Sequence, residues 1–273
     1  TGANGFIGGS LMRYYQNHGQ DVVGVDLIGN ANDIVEGDVS QPNTISQQLQ
    51  ECDVIIHTAA LVSNAMQDSD MWQVNVLATR NLIQAAKEHK VRRFVQISSI
   101  VAYGNSAEGE LDETHPVHAD GGSYVLTKLA SEHVVLSQQA NDDIEVVIIR
   151  PGDAYGPGSR PWIIAPLEAI AKNQFMLPEK GEGFFRPIYI DDLVRGIAMA
   201  SKHPDADGEI FNLSCEGYMF TKDYFTPHYQ WLGKKRPLVV STNLALKISA
   251  LASKLANLMG NLNEASPSTV KQL

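Results

Sequence analysis

Two periods of apolar residues alternate along the first half of the chain. DVVGVD (21–26), DVIIHTA (53–59), RRFVQISS (92–99) and IEVVIIR (144–150) are short, nearly continuous Val/Ile runs and predict strands. Between them, segments near 8–18, 72–89 and 123–140 repeat apolar positions at three- and four-residue spacing and predict helices. A strand apolar on successive residues has no solvent face, so the pattern predicts a parallel sheet covered by helices on both sides, a doubly wound α/β fold.

After Arg150 the pattern changes to the Pro- and Gly-rich PGDAYGPGSRPW (151–162) and then to shorter pieces, with a strand expected at GEIFNLS (208–214). The expected organisation is a sheet domain over 1–150, to which 184–214 returns, and a smaller substrate-binding lobe built from 151–183 and 215–273. LALKISALASKLANL (244–258) is amphipathic with two lysines and reads as a packed helix in preference to a membrane-surface one.

The glycine spacing of the opening TGANGFIGGS adds chemistry to this frame. Gly2, Gly5 and Gly8 precede an amphipathic helix, the arrangement a pyrophosphate needs: a tight turn, close backbone approach and a helix N-terminus facing the negative charge. VVGVD ends in Asp26, 18 residues after Gly8, where a second strand sets an acid against the ribose hydroxyls of a dinucleotide. An acid there repels a 2′-phosphate, and no Lys or Arg occurs from Tyr14 through Thr79, so NAD is expected over NADP. A turn of this kind follows a strand, so a hydrophobic strand is expected to precede Thr1; the closing ASPSTVKQL has no terminating signal, and further chain is expected there as well.

Composition narrows the partners. A formal net charge of −10 argues against a nucleic acid and for a small-molecule substrate. Two cysteines, Cys52 and Cys215, without metal-ligand spacing give no disulfide framework or structural metal, which fits a cytoplasmic protein. No apolar run reaches bilayer-spanning length.

Tyr124 and Lys128, in SYVLTK, are four apart and share a helix face, where an ammonium lowers a phenol's pKa and makes a usable general base. Ser99, at the C-terminal end of the strand RRFVQISS, is the third polar group of this set, with Ser98 the competing hydroxyl.

TGANGFIG (1–8), VVGVD (22–26), GDVS (37–40), VIIHTAA (54–60), QVNVLATRNL (73–82), SSIVAYG (98–104), YVLTK (124–128), RPGDAYGPG (150–158) and RPIYIDDL (186–193) together resemble the extended short-chain dehydrogenase/reductases, the NAD-dependent epimerase/dehydratase superfamily with its 3β-hydroxysteroid dehydrogenase-like branch. The resemblance spans nearly the whole chain and implies a Rossmann-type fold, NAD as cofactor and a homodimer formed by the helices near 72–89 and 123–140. It implies Tyr124 as acid/base, Lys128 as the residue that holds the nicotinamide ribose and lowers the tyrosine pKa, and Ser99 as hydrogen-bond partner of the reacting oxygen. It also implies Gly2, Gly5, Phe6, Ile7 and Gly8 at the pyrophosphate, Asp26 at the ribose, Asp38 and Val39 at the adenine, and Ala59, Ala60, Asn75 and Pro151 along the cofactor. For Asn75 a backbone-bonding role is an equal alternative; His57 is expected to pack in the sheet, and Tyr103 to line the crevice or serve the fold.

Departures from the family pattern bear on the activity. Ile100 and Val101 follow Ser99 where sugar-nucleotide dehydratases carry Asp-Glu, so dehydration of that kind is not expected. Asp153 stands where nucleotide-sugar epimerases often have asparagine, whereas Arg186 stands where they place a phosphate-binding arginine, unless it pairs with Asp153, Asp191 or Asp192. Only 11 residues separate Asp26 from Asp38, too few for an ordinary crossover helix. RPLVVSTNLALKISALASKLANL resembles the Pro-then-apolar-helix segment of the steroid-dehydrogenase-like branch, which favours an apolar substrate; Trp162, Ile163, Ile164, Phe175, Met176, Phe184 and Phe185 are either its pocket wall or lobe core. The expected activity is hydride transfer between a secondary alcohol or ketone and NAD. A nucleotide-sugar epimerase and a non-catalytic NAD-binding protein are the alternatives.

Overall fold

The computed structural model describes residues 1–30, 33–63, 66–104, 109–141 and 143–258; the closing ASPSTVKQL lies outside them. In chain order the first elements are α1 (Phe6–Asn17), β1 (Gly24–Asp26), β2 (Ile34–Glu36), α2 (Ser46–Gln50) and β3 (Val54–His57). A long helix follows, made of α3 (Asp68–Trp72), a wide π-type turn over Gln73–Ala78 and α4 (Thr79–Glu88). Next come β4 (Arg93–Ile97), α5 (Ser123–Leu136), β5 (Glu145–Pro151), β6 (Asp153–Tyr155), α6 (Ala165–Ala171), β7 (Phe184–Phe185) and β8 (Pro187–Tyr189). The chain continues through α7 (Ile190–Ala200), β9 (Ile210–Leu213), β10 (Met219–Phe220), α8 (Thr221–Trp231) and α9 (Thr242–Leu258).

These elements form two compact units, one of Thr1–Val62, Gln67–Pro151 and Ile190–Leu213, the other of Ser63–Met66, Gly152–Tyr189 and Ser214–Leu273. The segment 184–214 is therefore divided: β7 and β8 lie in the second unit, α7 and β9 in the first.

In the first unit β3, β4, β5 and β9 pair in that order, all parallel, and β1 pairs with β2, also parallel. This is the Rossmann-type parallel sheet that the apolar runs predict, and the reason is visible in burial: all five residues of β4 are buried. Val25, Ile55, Leu82, Phe94 and Val146 belong to one core cluster between strands and helices. The run at 21–26 contributes only its last three residues to a strand, and no helix lies between Asp26 and Asp38 among the described residues. Thr1 N donates to Ile56 O (2.9 Å) and Ala3 N to Val25 O (3.3 Å), so the first residues run between β3 and β1.

The second unit pairs β6 with β8 in parallel and β7 with β10 antiparallel. Its core is aromatic: Leu177, Phe185, Tyr224 and Phe225 are buried, with Tyr155, Trp162 and Phe175 packed on them. Trp162, Phe175 and Phe185 are thus core residues, while Phe184 is 61% exposed.

Candidate active site

The glycine turn is sterically obligatory at two positions. Gly2 has φ +68°, and a Cβ there would stand 2.7 Å from Ala59 N; a Cβ at Gly8 would lie 2.1 Å from Gly2 O. Substitution at either would push α1 off β3. Gly5 is the N-cap of α1 and offers no side-chain acceptor, so the amides of Phe6, Ile7 and Gly8 begin the helix without a side-chain cap. Such an end favours an anion.

Asp26 is aimed at this turn by the backbone. Its carboxylate accepts from Asn4 N (2.9 Å) and Leu27 N (2.8 Å), which leaves lone pairs on both oxygens for further donors. Asn4 Nδ2 donates to Ile28 O (2.7 Å), closing the turn over the end of β1. On the other side Thr58 Oγ1 donates to Thr1 O (2.7 Å) and Ala59 N lies against Gly2, so the residues directly after β3 abut the same turn. A tight glycine cradle, open helix amides and a held carboxylate fit a dinucleotide pyrophosphate and ribose. Asp38 is engaged locally: it accepts from Ser40 N (2.8 Å) and caps its own turn, with Val39 packed on the core.

Ser99 follows β4 and accepts from Val101 N (3.3 Å), and Tyr124, the second residue of α5, is close enough for the Ser99 hydroxyl to act on its phenol. Ser98, the competing hydroxyl, is buried at 4% exposure and is not the one beside Tyr124. Burial pushes the Tyr124 phenol up to about 12, opposed only by the Ser99 hydroxyl. This differs from the expectation that Lys128 lowers it, because Lys128 is itself turned into the fold. Its Nζ donates to Ile97 O (2.6 Å), and desolvation brings its pKa down to about 8, partly offset by Glu132 one helical turn away. Pro151 ends β5 next to this strand end.

Behind these residues stands a buried polar frame. Asn75, on the π-type turn, takes the backbone-bonding role: its Oδ1 accepts from Leu61 N (2.8 Å), and Nδ2 donates to Leu61 O (3.0 Å) and Thr127 Oγ1 (3.0 Å). It ties the loop after β3 to α5. His57 is buried in the sheet as expected. Thr79 Oγ1 donates to Asn75 O, so His57 Nε2–H donates to Thr79 (3.0 Å) and Nδ1 accepts from Thr1 Oγ1 (2.7 Å); desolvation holds its pKa well below the ordinary value. Arg150 makes a two-pronged pair with Glu132 (3.0 and 2.7 Å), both essentially buried. Tyr103 serves the fold: it is 2% exposed, donates to Asp112 O or Asn212 Oδ1 (each 2.9 Å), and lies under the Arg150 guanidinium. Asn4, Thr127 and Glu132 were not singled out from the sequence; the four-residue step from Lys128 to Glu132 is the signal for the last.

In the second unit, Asp153 Oδ2 accepts from the backbone N–H of Arg186 (3.1 Å), and burial raises its carboxyl to about 7. The alternative for Arg186, an ion pair with Asp153, Asp191 or Asp192, is not present among the described residues. Asp192 pairs with Arg195, while the Arg186 guanidinium lies over Phe184 and Tyr218, and its buried Nη1 has no partner among the described residues. The aromatic rings, not a carboxylate, hold the cation.

The fold and its glycine turn are those of a dinucleotide-binding α/β protein. The model of the NAD dependent epimerase/dehydratase family matches residues 1–214, and the chain belongs to this family. It is accordingly an extended short-chain dehydrogenase/reductase enzyme with NAD as its cofactor. It is 28% identical over 234 residues to the low-salt glycan biosynthesis protein Agl12 of Haloferax volcanii, covering 78% of this chain and 75% of that protein. To a 3β-hydroxysteroid dehydrogenase/Δ5→4-isomerase of Mycobacterium tuberculosis it is 27% identical over 226 residues, 76% of this chain and 60% of the relative. Among solved structures, MoeE5 in complex with UDP-glucose and NAD matches with a TM-score of 0.78 and 26% identity, over 88% of this chain and 83% of MoeE5.

Proposed function

We propose that this enzyme transfers a hydride between a secondary alcohol or ketone and NAD, with Tyr124 moving the proton of the reacting oxygen. The observation that carries the reading is the juxtaposition of Ser99, just past the C-terminal end of β4, with a buried Tyr124 near the start of α5, whose pKa the Ser99 hydroxyl works to lower. NAD, when bound, supplies the hydride acceptor or donor; Gly2, Gly5, Phe6, Ile7, Gly8 and Asp26 hold it, with Ala59, Ala60 and Pro151 beside it and Asp38 and Val39 near the adenine. Ser99 orients the substrate oxygen. A phenol with a pKa of about 12 is protonated at neutral pH and suited to donating to a ketone oxygen; Lys128, whose Nζ donates to Ile97 O, is the residue set at the nicotinamide ribose in this reading.

A homodimer through the long helix and α5 belongs to the same reading, supported by Trp72 and Leu77, exposed by 41% and 36% on that helix. A cytoplasmic setting is supported by the two free cysteines; no helix of the described residues is long and apolar enough to cross a membrane.

The second reading, a nucleotide-sugar epimerase, is supported by the unpaired Arg186 Nη1 and by the UDP-glucose held by MoeE5. Asp153 is no strong objection to it, since a carboxyl at about 7 is half protonated near neutrality. Calorimetric titration of UDP and dTDP into the NAD-loaded protein separates the two, with Arg186→Ala as control. Absence of binding, followed by NADH formation from hydroxysteroid-like or other secondary alcohols, is the expected result. Micromolar binding lost in Arg186→Ala would move the enzyme to epimerisation.

A further inference from the structure

α9 packs with its small side chains inward. Ala245 and Ser249 are buried, at 2% and 7% exposure, whereas Leu244, Ile248 and Leu251 are exposed by 47%, 39% and 61%. Spaced four and three residues apart, those three large side chains form one stripe on the outer face, with the exposed Lys247 and Lys254 along its border. A helix that served only the core would turn this stripe inward.

The residues leading into α9 have the same character. Trp231 and Leu232 at the end of α8 are exposed by 64% and 40%, and Leu238 and Val239 by 55% and 43%. Lys235 and Arg236, between them, are exposed as well. Charge along this stretch runs against the rest of the molecule. In a chain of net charge −10, no Asp or Glu occurs from Tyr224 through Asn263, while Lys234, Lys235, Arg236, Lys247 and Lys254 all do. Lys234 is engaged with Asn173 Oδ1 (2.6 Å); the other four cations make no ion pair among the described residues.

We propose that Trp231–Val239 and the Leu244–Ile248–Leu251 stripe of α9 form a docking surface for an anionic lipid bilayer, on which the protein lies peripherally. Leucines and a tryptophan enter the interface, and flanking lysines reach up to lipid phosphates while their stems stay apolar. No helix of the described residues is long and apolar enough to cross a membrane, and in this proposal α9 lies in the interface plane. A second copy is the poorer occupant, because a two-fold contact through this face gathers the cations of both copies into one interface with no acid from this stretch to offset them.

The test is flotation of the full chain with vesicles of phosphatidylcholine alone and with about 30% phosphatidylglycerol, in low and high salt. Expected are binding at least about tenfold tighter to the anionic vesicles, weakened by salt, and a roughly tenfold loss in both Lys235→Glu/Lys247→Glu and Leu244→Asn/Leu251→Asn. The charge variant changes only exposed positions and keeps the test open should the apolar variant fold poorly. Equal binding to neutral and anionic vesicles, binding unchanged in the charge variant, or dissociation of a dimer by these substitutions in sedimentation velocity would each overturn the proposal.

Discussion

The two units hold a guanidinium differently, Arg150 on the Glu132 carboxylate and Arg186 over aromatic rings. In the first unit Asn75 is tied to Leu61 and Thr127, His57 to Thr1 and Thr79, Lys128 to Ile97 O, and Arg150 through Nε and Nη2 to Glu132, while Arg150 Nη1, Gln96 Oε1 and Ser98 Oγ have no partner among the described residues. In the second unit Asp153 has one backbone donor and Arg186 keeps an unpaired Nη1 over aromatic rings. Fully engaged groups hold one geometry, which chemistry requires. Arg186, which no carboxylate pairs among the described residues, is the group on which the two proposed readings differ.

The comparison sharpens into measurable differences. Glu132→Ala leaves the Arg150 guanidinium buried without its partner and should lower unfolding stability by about 3–5 kcal/mol in urea titration; a loss under about 1 kcal/mol would mean the pair is dispensable. Asp153→Asn should act through pH. The carboxyl sits near 7 in the fold against an ordinary 3.8, so the folded state binds the extra proton between those values and stability falls as pH rises through that window. The slope is about 1.4 kcal/mol per pH unit for one proton, and the variant should lack it. His57, with its depressed pKa, contributes with opposite sign, so the wild-type-minus-variant difference isolates Asp153. The smallest effect is expected of Asp26→Asn, about tenfold weaker NAD binding by calorimetry with no change in melting beyond a degree or two; unchanged affinity would remove Asp26 from the cofactor site.

The parallel sheet was legible because continuous burial leaves a compositional trace: β5 reads directly as a Val/Ile run, whereas β4 buries Arg93 and Gln96 along with Phe94, Val95 and Ile97. Gly2, Gly8 and Asp26 were legible because steric and charge demands admit few residue types. The direction of the Tyr124 shift was not, since helical spacing gives the proximity of Lys128 but not that its ammonium turns to Ile97 O. Nor did the sequence show Arg186 choosing aromatic rings over three nearby acids, a choice made by the packing of β7 against β10. The inverted packing of α9 was hidden for the same reason, as an amphipathic pattern does not say which face meets the protein.

The central claim, that Tyr124 carries the proton while other residues hold NAD, is tested most directly with Tyr124→Phe, measuring NAD affinity by calorimetry and turnover by NADH absorbance on the same preparation. The account predicts NAD binding within about twofold of wild type and turnover reduced by about 10²–10⁴-fold. Turnover within a few-fold of wild type, with NAD still bound, would contradict it.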